Sequence, residues 1–466
     1  MEYIIFSSEK IGNIINFFNQ NIIIFRLYFL IILLYFNFIS SVLTRSEIYL
    51  TIEGKGNQSI LNDTFYKEPS QVLVEGKGDN SCKKTCNLIN DLNNITLIFD
   101  EEINSCENMF YGLNNLIMID LSKFNTSKVK NMNSMFYGCT SLIKITFGNI
   151  VTNSVEDMTS LFEKCANLTF IDLSNFDTSS VTTLKGMFRY CKEIIAIDAS
   201  SFNTAKVEDM FDMFGYCHKL VAVNVSGFNT SNVKNMQGMF YDCNELIFLD
   251  LQNFKGDSVT NVYYIFCECG KLKYLNLNSF DVKSGIFKEY SFYGVSGTYC
   301  INDLNNDYYN NIYTSSLLSY CSNECFQKNI KYDVEENKCV NDCDEDKFEY
   351  FNICFEDCPE NTYKLMKERN ICSIEIPENY YLDNNDNIYK ECYYTCKKCK
   401  IKGDNITHNC IECKDNYYLE SKNNSYANCY ENCIHYYYFD NENYYHCTTN
   451  LSCPIEYPLL IPNKSK

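Results

Sequence analysis

One spacing limits what this chain can fold into more than any other feature. Six cysteines follow one another at intervals of 26 residues. They are Cys139, Cys165, Cys191, Cys217, Cys243 and Cys269. A phenylalanine precedes each by three residues, and a second aromatic column and a valine column keep the same register. A fixed period of this length over about seven copies is typical of a solenoid, in which each copy forms one coil of the chain.

Each copy divides into two parts by the spacing of its apolar residues. In one copy, residues 168–176 alternate apolar and polar positions, with Leu168, Ile171 and Leu173 on one side. This alternation predicts a short strand. Residues 178–188 begin with Ser and Thr and space their apolar residues at three and four, which predicts a short helical turn with a polar cap. We therefore expect an α/β to mainly β solenoid with strands on one side and helical turns on the convex side.

The repeated sequence is similar to that of a known family. The segment "MFRYCKEIIAIDASSFNTAKVEDM" at 187–210 and its siblings resemble the BspA-type leucine-rich repeat. The resemblance covers residues 106 to about 284, and it implies a right-handed leucine-rich solenoid on a cell surface, acting in adhesion or in contact between host and microbe. Bacterial members carry a lipidated cysteine after the signal segment, whereas the first cysteine here is Cys82. Thr146 and Ile150 replace the Asp and Phe of the pattern, which predicts a local distortion.

The regular cysteines are expected to pack rather than to react. Equivalent residues of stacked coils lie about 4.8 Å apart, and a parallel in-register stack does not favour the Cβ geometry of a disulfide. A buried ladder of free thiols is therefore predicted, and Leu113 in the cysteine position of the first copy agrees with packing. Cys217 beside His218 is the alternative, a thiol and base pair, although neighbouring residues generally point apart.

Two segments precede the repeats. Residues 1–44 contain the uncharged apolar run 27–39, which is typical of a cleaved signal peptide, with an uncleaved signal anchor as the alternative. Eleven Asn-x-Ser/Thr sites agree with export and N-glycosylation. Residues 45–104 contain two β-rich segments, each followed by a Glu-Gly-Lys-Gly turn, and this pattern predicts an N-terminal β cap. Within it, residues 95–99 are expected to be the edge strand that starts the solenoid.

The solenoid is predicted over residues 105–299, and residues 300–466 have a different composition, with 17 of the 27 cysteines. The run 392–420 resembles growth-factor-receptor or EGF-like cysteine-rich modules, which implies small modules held by disulfides. A rival interpretation takes Cys396, Cys399, Cys410 and Cys413 as a zinc site. Export and the many other cysteines favour disulfides, so no metal site is predicted. The cysteines assigned to this disulfide region are Cys321, Cys325, Cys339, Cys343, Cys354, Cys358, Cys392, Cys396, Cys399, Cys410, Cys413, Cys429 and Cys433.

Composition and motifs narrow the class of function. A formal net charge of -19 argues against a nucleic-acid partner, because such binding uses Lys and Arg to neutralise phosphates. The sequence contains no recognisable set of acid, base and nucleophile, so neither an enzyme nor a cofactor is predicted. We expect a secreted or cell-surface protein that reaches the extracellular side through the secretory pathway and binds an extracellular protein or glycan. Contact with the membrane is expected only through an uncleaved N-terminal segment. The alternative is a surface-coat or receptor-like protein whose cysteine-rich half binds and whose solenoid is a spacer.

A ligand site is predicted on the exposed face of the solenoid strands. In each strand, the residue between the two inward leucine-like positions and the residue two before it point outward. One of these columns is rich in Asp, and the other varies freely, as a recognition surface does. The predicted contact residues are Phe170, Phe248 and Tyr274, rimmed by Asp172, Asp198 and Asp250. Alternatively, these acids cap turns or hydrogen-bond along the ladder.

Overall fold

The structure of the chain is a computed structural model. It describes residues 45–277, 280, 282, 290–295, 298–301 and 318–320, most of 331–430 with short gaps, and 436–439, 445–448 and 461–462. The predicted signal segment 1–44 and Cys321, Cys325 and Cys433 lie outside the described residues. Within the described part of the chain there is no helix, and hence none that could cross a membrane. The chain divides into two units, Met1–Tyr320 and Cys321–Lys466, which are described separately.

Among the described residues of the first unit, six strands precede the repeats. They are β1 (Ser46–Glu53), β2 (Gly56–Ser59), β3 (Gln71–Val74), β4 (Lys77–Gly78), β5 (Thr85–Leu88) and β6 (Leu92–Phe99). A disulfide joins Cys82 to Cys86. β6 lies between β1 and β3, whereas β1 pairs antiparallel with the first strand of the repeats. The prediction that residues 95–99 start the solenoid is therefore wrong, because both edges of β6 are already paired.

The strands of the repeats form parallel ladders. They are β7 (Leu116–Asp120), β8 (Lys144–Thr146), β9 (Ala196–Asp198), β10 (Ala222–Asn224), β11 (Phe248–Asp250), β12 (Tyr274–Asn276), β13 (Thr298–Ile301) and β14 (Leu318–Tyr320). Residues one period apart face each other, as Ile119 faces Ile145 and Leu249 faces Leu275. The repeats of the first unit thus form a β-solenoid of about eight coils with a period of about 26 residues.

Parallel pairing continues beyond residue 299, the solenoid boundary predicted from the sequence. Asn276 faces Cys300, and Cys300 faces Ser319 in β14. These partners are 24 and 19 residues apart rather than 26, so the last coils are shorter. Their residues therefore no longer align with the 26-residue columns of the sequence. Tyr320 is the last described residue of this ladder and also the last residue of the first unit.

The ladder is interrupted between β8 and β9. Residues 170–172, which occupy the equivalent place in the intervening coil, form no strand. In the coil before them, Phe147 stands where other coils have a smaller side chain, and Ile150 stands where they have Phe. The Phe147 ring is buried and meets Phe176 edge to face at 4.9 Å between centroids. The local distortion predicted for this copy thus coincides with an exchange of a large and a small side chain at two buried positions.

The segment predicted as a helical turn is instead a run of tight turns. In residues 184–191, alternate amides donate to the next coil, as Gly186 N does to Phe211 O at 2.8 Å. The amides of Met187, Arg189 and Cys191 donate to the carbonyl three residues earlier, as Arg189 N does to Gly186 O at 3.1 Å. Gly186 and Tyr190 have φ values of +62° and +61°, which an α-helix does not contain. The fold is therefore mainly β, and the helical part of the α/β prediction is wrong.

A column of threonines links the coils inside the first unit. Thr126, Thr152, Thr178, Thr204 and Thr230 are all buried. Thr204 Oγ1 donates to Asn229 O at 2.9 Å and accepts from Asn229 N at 2.8 Å. Each such hydroxyl satisfies a peptide group of the next coil that faces the interior, which is why a polar side chain is tolerated there.

The second unit is built from short hairpins. Its strands are β15 (Lys331–Asp333), β16 (Lys338–Val340), β17 (Phe348–Tyr350), β18 (Ile353–Phe355), β19 (Tyr363–Met366), β20 (Asn370–Ser373), β21 (Tyr380–Asp383), β22 (Ile388–Glu391), β23 (Cys396–Cys399), β24 (Cys410–Cys413), β25 (Tyr418–Lys422), β26 (Tyr426–Tyr430), β27 (Tyr436–Phe439), β28 (Tyr445–Thr448) and β29 (Ile461–Pro462). β15 to β22 form four antiparallel hairpins, which parallel pairing joins into one sheet of eight strands.

Disulfides hold these hairpins, as predicted for this region. The described bridges of the second unit are Cys343–Cys354, Cys358–Cys372, Cys392–Cys399, Cys396–Cys410 and Cys413–Cys429. The four sulfurs of the alternative zinc site are divided among three of these bridges. The zinc interpretation is therefore wrong, because a zinc-binding cysteine must be a free thiolate.

Candidate functional site

Each coil has one edge formed by the run of turns around its regular phenylalanine, which we call the turn edge (residues 210–217 in the coil of Phe214). Two of its positions, two residues before and two residues after the phenylalanine, have positive φ. The residues there are Asn108, Ser134, Ser160, Gly186, Asp212, Gly238, Tyr264 and Tyr290, and Gly112, Gly138, Lys164, Tyr190, Tyr216, Asp242, Glu268 and Gly294. A residue other than glycine, Asn or Asp costs about 1–2 kcal/mol in this conformation. Tyr, Lys and Glu at these positions therefore carry a backbone cost that a glycine would avoid.

Tyrosine rings from neighbouring coils meet along the turn edge. Tyr190 stacks on Tyr216 with centroids 4.2 Å apart, and Tyr264 stacks on Tyr290 at 5.4 Å. Tyr241 lies between these pairs, 4.9 Å from Tyr216 and 5.6 Å from Tyr264. The rings therefore form a continuous aromatic row along the solenoid axis.

An open groove of about 610 Å³ runs beside this aromatic row. Its tyrosines are Tyr216, Tyr241, Tyr264, Tyr290 and Tyr293, and its charged residues are Arg189, Asp212 and Glu268. Tyr290 and Tyr293 are 56% and 61% exposed. The groove thus combines aromatic walls with a few charged groups.

The first end of the groove is an ion cluster. Arg189 Nε lies 2.9 Å from Asp212 Oδ2, without the alignment of a hydrogen bond, and Arg189 Nη1 lies 3.6 Å from Glu163 Oε1. Burial of the Asp212 carboxyl, with a contribution from the charge of Glu163, raises its pKa to about 6, although Arg189 acts in the opposite direction. The guanidinium at this end is thus already engaged by acids of the chain.

The second end of the groove is acidic and aromatic. Burial, followed by the neighbouring Cys267, Asp242 and Glu268, raises the pKa of Tyr241. Asp242 Oδ2 lies 3.0 Å from His218 Nε2. No Lys or Arg of the described residues forms an ion pair with Glu268. The second end therefore holds the Glu268 carboxylate without an ion-paired Lys or Arg in the described part of the chain.

The acids of the predicted contact patch hydrogen-bond to their own turns. Asp172 Oδ1 accepts from Ser174 N at 3.0 Å, and Asp198 Oδ1 accepts from Ser200 N at 3.0 Å. Asp250 Oδ1 accepts from Gln252 N at 3.0 Å, and burial raises the pKa of this carboxyl. These contacts are those of the alternative interpretation, in which the acids cap turns.

The aromatic residues of the predicted patch do not form one open surface. Phe248 and Tyr274 stack with centroids 5.2 Å apart, and Tyr274 is only 9% exposed. The expectation that Tyr274 points to solvent is wrong, because its ring packs against its neighbour. Phe170 lies in the interrupted part of the ladder, and the buried Ala196 and Ala222 occupy its column in the two coils between it and Phe248. A role of this patch in ligand contact stays a prediction.

The six regular cysteines lie in the interior as free thiols. Each Sγ donates to the carbonyl of the phenylalanine 29 residues earlier, as Cys191 does to Phe162 O at 3.1 Å. Burial raises the pKa of the Cys191 thiol well above its usual value, so it stays protonated and unreactive. His218 contacts Asp242, and the neighbouring Cys217 thiol bonds to Phe188 O, so the two do not form a catalytic pair.

The groove was not predicted from the sequence. Its tyrosines come from three different positions relative to the regular phenylalanine: two before it (Tyr264, Tyr290), one after it (Tyr241, Tyr293) and two after it (Tyr216). The tyrosines of the groove are therefore divided among three columns, although the column one residue after the phenylalanine also holds Tyr111 and Tyr137. The turns bring all three positions to one edge, and the available signal was the number of tyrosines on both sides of the later phenylalanines.

Comparison with known proteins gives one match. A family model described as "Mycoplasma protein of unknown function, DUF285" matches residues 104–223 and 194–306. Over these residues the chain is similar to that repeat family. The match lies within the first unit. No curated protein and no solved structure matches the chain.

Proposed function

We propose that this chain is a secreted or cell-surface repeat protein, without enzymatic activity, that binds an extracellular protein or glycan through its solenoid. The observation that carries the proposal is the open tyrosine-lined groove of the turn edge. Tyrosines supply large, rigid contact surfaces with a polar end, and they are enriched where proteins bind partners. The backbone cost of holding Tyr216, Tyr264 and Tyr290 at positive φ is consistent with selection for recognition.

Export is part of the proposal. Disulfides persist in oxidising compartments, so the bridged hairpins of the second unit support passage through the secretory pathway. The apolar run 27–39 is the proposed signal, cleaved or retained as an anchor, and the Asn-x-Ser/Thr sites are proposed N-glycosylation sites. The similarity to a repeat family supports a surface repeat protein. The BspA-type leucine-rich assignment and the growth-factor-receptor or EGF-like assignment of the cysteine-rich modules belong to this proposal.

A second candidate places binding in the cysteine-rich unit, with the solenoid as a spacer. The observation that favours it is the exposure of aromatic side chains there, since Tyr394 is 63% and Tyr363 is 42% exposed. Exposed aromatic residues on a rigid, disulfide-bonded scaffold also suit recognition.

Binding of the full chain to an array of immobilised glycans and extracellular proteins tests both candidates. The groove variant Tyr290→Ser/Tyr293→Ser should lose binding by at least about tenfold, because two exposed aromatic contacts are removed. The matched variant Tyr363→Ser/Tyr394→Ser, which removes two exposed tyrosines from the other unit, should bind like the wild type. The reverse pattern would assign recognition to the cysteine-rich unit. Failure of the wild type to bind any member of the array would contradict the proposal.

A further inference from the structure

We infer that the second end of the groove, formed by Tyr241, Tyr264, Glu268, Tyr290 and Tyr293, binds a cationic side chain, an arginine or a lysine, on a basic segment of a partner protein. This inference rests on the proposed function and specifies the ligand chemistry of the same groove.

The strongest argument is that the chain fills equivalent places with its own cations. Lys164 Nζ donates to Tyr137 Oη at 2.5 Å and lies 4.8 Å from the centroid of that ring on the turn edge. Arg189 Cζ lies 5.0 Å from the Tyr190 ring and 5.5 Å from the Tyr216 ring. A cation within about 6 Å of an aromatic centroid is attracted by the negative face of the ring. In these earlier coils, therefore, Tyr137, Tyr190 and Tyr216 each have a cationic partner within the same chain.

The later coils keep the aromatic rings but lose the cation. At the position one residue after the regular phenylalanine, where one coil has Arg189, the later coils have Tyr241, Cys267 and Tyr293. At the position that holds Lys164, the coil of Phe266 has Glu268. Among the described residues, no Lys or Arg lies over the Tyr241, Tyr264, Tyr290 or Tyr293 ring. The second end thus has the aromatic half of the earlier arrangement, with a carboxylate in place of the cation.

The carboxylate provides the second half of a cation site. Glu268 lines the groove. The pKa of Tyr241 is raised first by burial, then by Cys267, and then by the charges of Asp242 and Glu268. A guanidinium or ammonium that enters beside Tyr264 and Tyr290 would pair with this carboxylate and lie against the aromatic rings. The formal net charge of -19 would accelerate the approach of a basic partner.

The test uses the full chain and a blocked peptide, acetyl-Gly-Arg-Gly-Arg-Gly-amide, titrated by calorimetry at low salt. The matched probe has citrulline in place of each arginine, which keeps the shape and removes the charge. We expect the arginine peptide to bind at least about tenfold more tightly than the citrulline peptide. Equal binding of the two peptides, or no binding of the arginine peptide, would overturn the inference.

Two variants locate the site. Glu268→Gln should weaken binding of the arginine peptide by about fivefold or more, whereas Glu156→Gln, an equal charge change on an exposed acid paired with Lys130, should not. Tyr293→Leu, which keeps an apolar side chain but removes the aromatic face, should weaken binding about two- to fivefold. If both groove variants bind the arginine peptide like the wild type, the inference is wrong. If the groove variants lose binding only to a neutral glycan of the array, the proposed function is supported and the inference of a cationic ligand is wrong.

Discussion

The buried threonine column allows a sharp test of how the coils are held together. Thr204 is fully buried, and its hydroxyl both donates to and accepts from the same residue of the next coil, Asn229. Thr204→Val keeps the shape of the side chain and removes both hydrogen bonds. Thr204→Ser keeps the hydroxyl and removes one methyl group.

Thr204→Val should lower the unfolding free energy more than Thr204→Ser, although valine is the more hydrophobic replacement. A buried donor or acceptor left without a partner costs about 1–3 kcal/mol. Thr204→Val leaves one of each, and the Asn229 side chain is exposed, which gives water partial access to that residue. We therefore expect a loss of about 2–3 kcal/mol of unfolding free energy. Thr204→Ser removes one methyl group, worth about 0.8 kcal/mol.

Urea unfolding of the full chain, followed by far-ultraviolet circular dichroism, measures both losses. Thr140→Val, at an exposed threonine of another coil, is the matched control and should change the unfolding free energy by less than about 0.5 kcal/mol. A Thr204→Val variant as stable as the wild type, or more stable than Thr204→Ser, would refute the role of the hydroxyl column.

Three further predictions concern the thiols, the disulfides and one carboxyl group. Cys191 and the other regular cysteines should react with a thiol reagent only after unfolding, because they are buried and their thiols stay protonated; rapid labelling of native protein, checked by mass spectrometry, would contradict this. Mild reductant should unfold the second unit, which depends on bridges such as Cys343–Cys354, and leave most of the β signal of the solenoid; loss of the whole signal would show that the solenoid also depends on disulfides. The pKa of Asp212 is raised to about 6 from an ordinary value of 3.8, so its contribution to stability is present below about pH 4 and is lost as the pH rises through 6. The unfolding free energy of Asp212→Asn minus that of the wild type should therefore rise between pH 4 and pH 7. Urea unfolding at several pH values measures this difference, and a difference that stays constant or falls would contradict the raised pKa.

The 26-residue period was sufficient to predict the coils and the positions that line their interior. Cys191 and its equivalents recur because every coil presents the same interior space to that position. The period was not sufficient to identify the turn runs. A spacing of three and four is typical of a helix, but it also suits turns whose alternate amides bond to the next coil, and only the neighbouring coil distinguishes the two.

The end of the solenoid and the groove were missed for related reasons. Cys300 and Ser319 continue the ladder at shorter spacings, so comparison at a fixed period does not find them. Tyr216 and Tyr241 lie in the same groove although they hold different positions in the repeat. Column analysis detects side chains that repeat, whereas a binding site is formed by side chains that differ from coil to coil.

Removal of one whole coil tests the central structural claim most directly. Deletion of residues 205–230 joins Thr204 to Ser231 and removes one period of 26 residues. Because each coil contacts only its neighbours, the shortened chain should keep cooperative urea unfolding and a β-type circular dichroism spectrum. Deletion of residues 205–217, half a period, should abolish that unfolding transition, because it places strands against turns. If the two deletions behave alike, whether both fold or both fail, the coils do not stack in the register described.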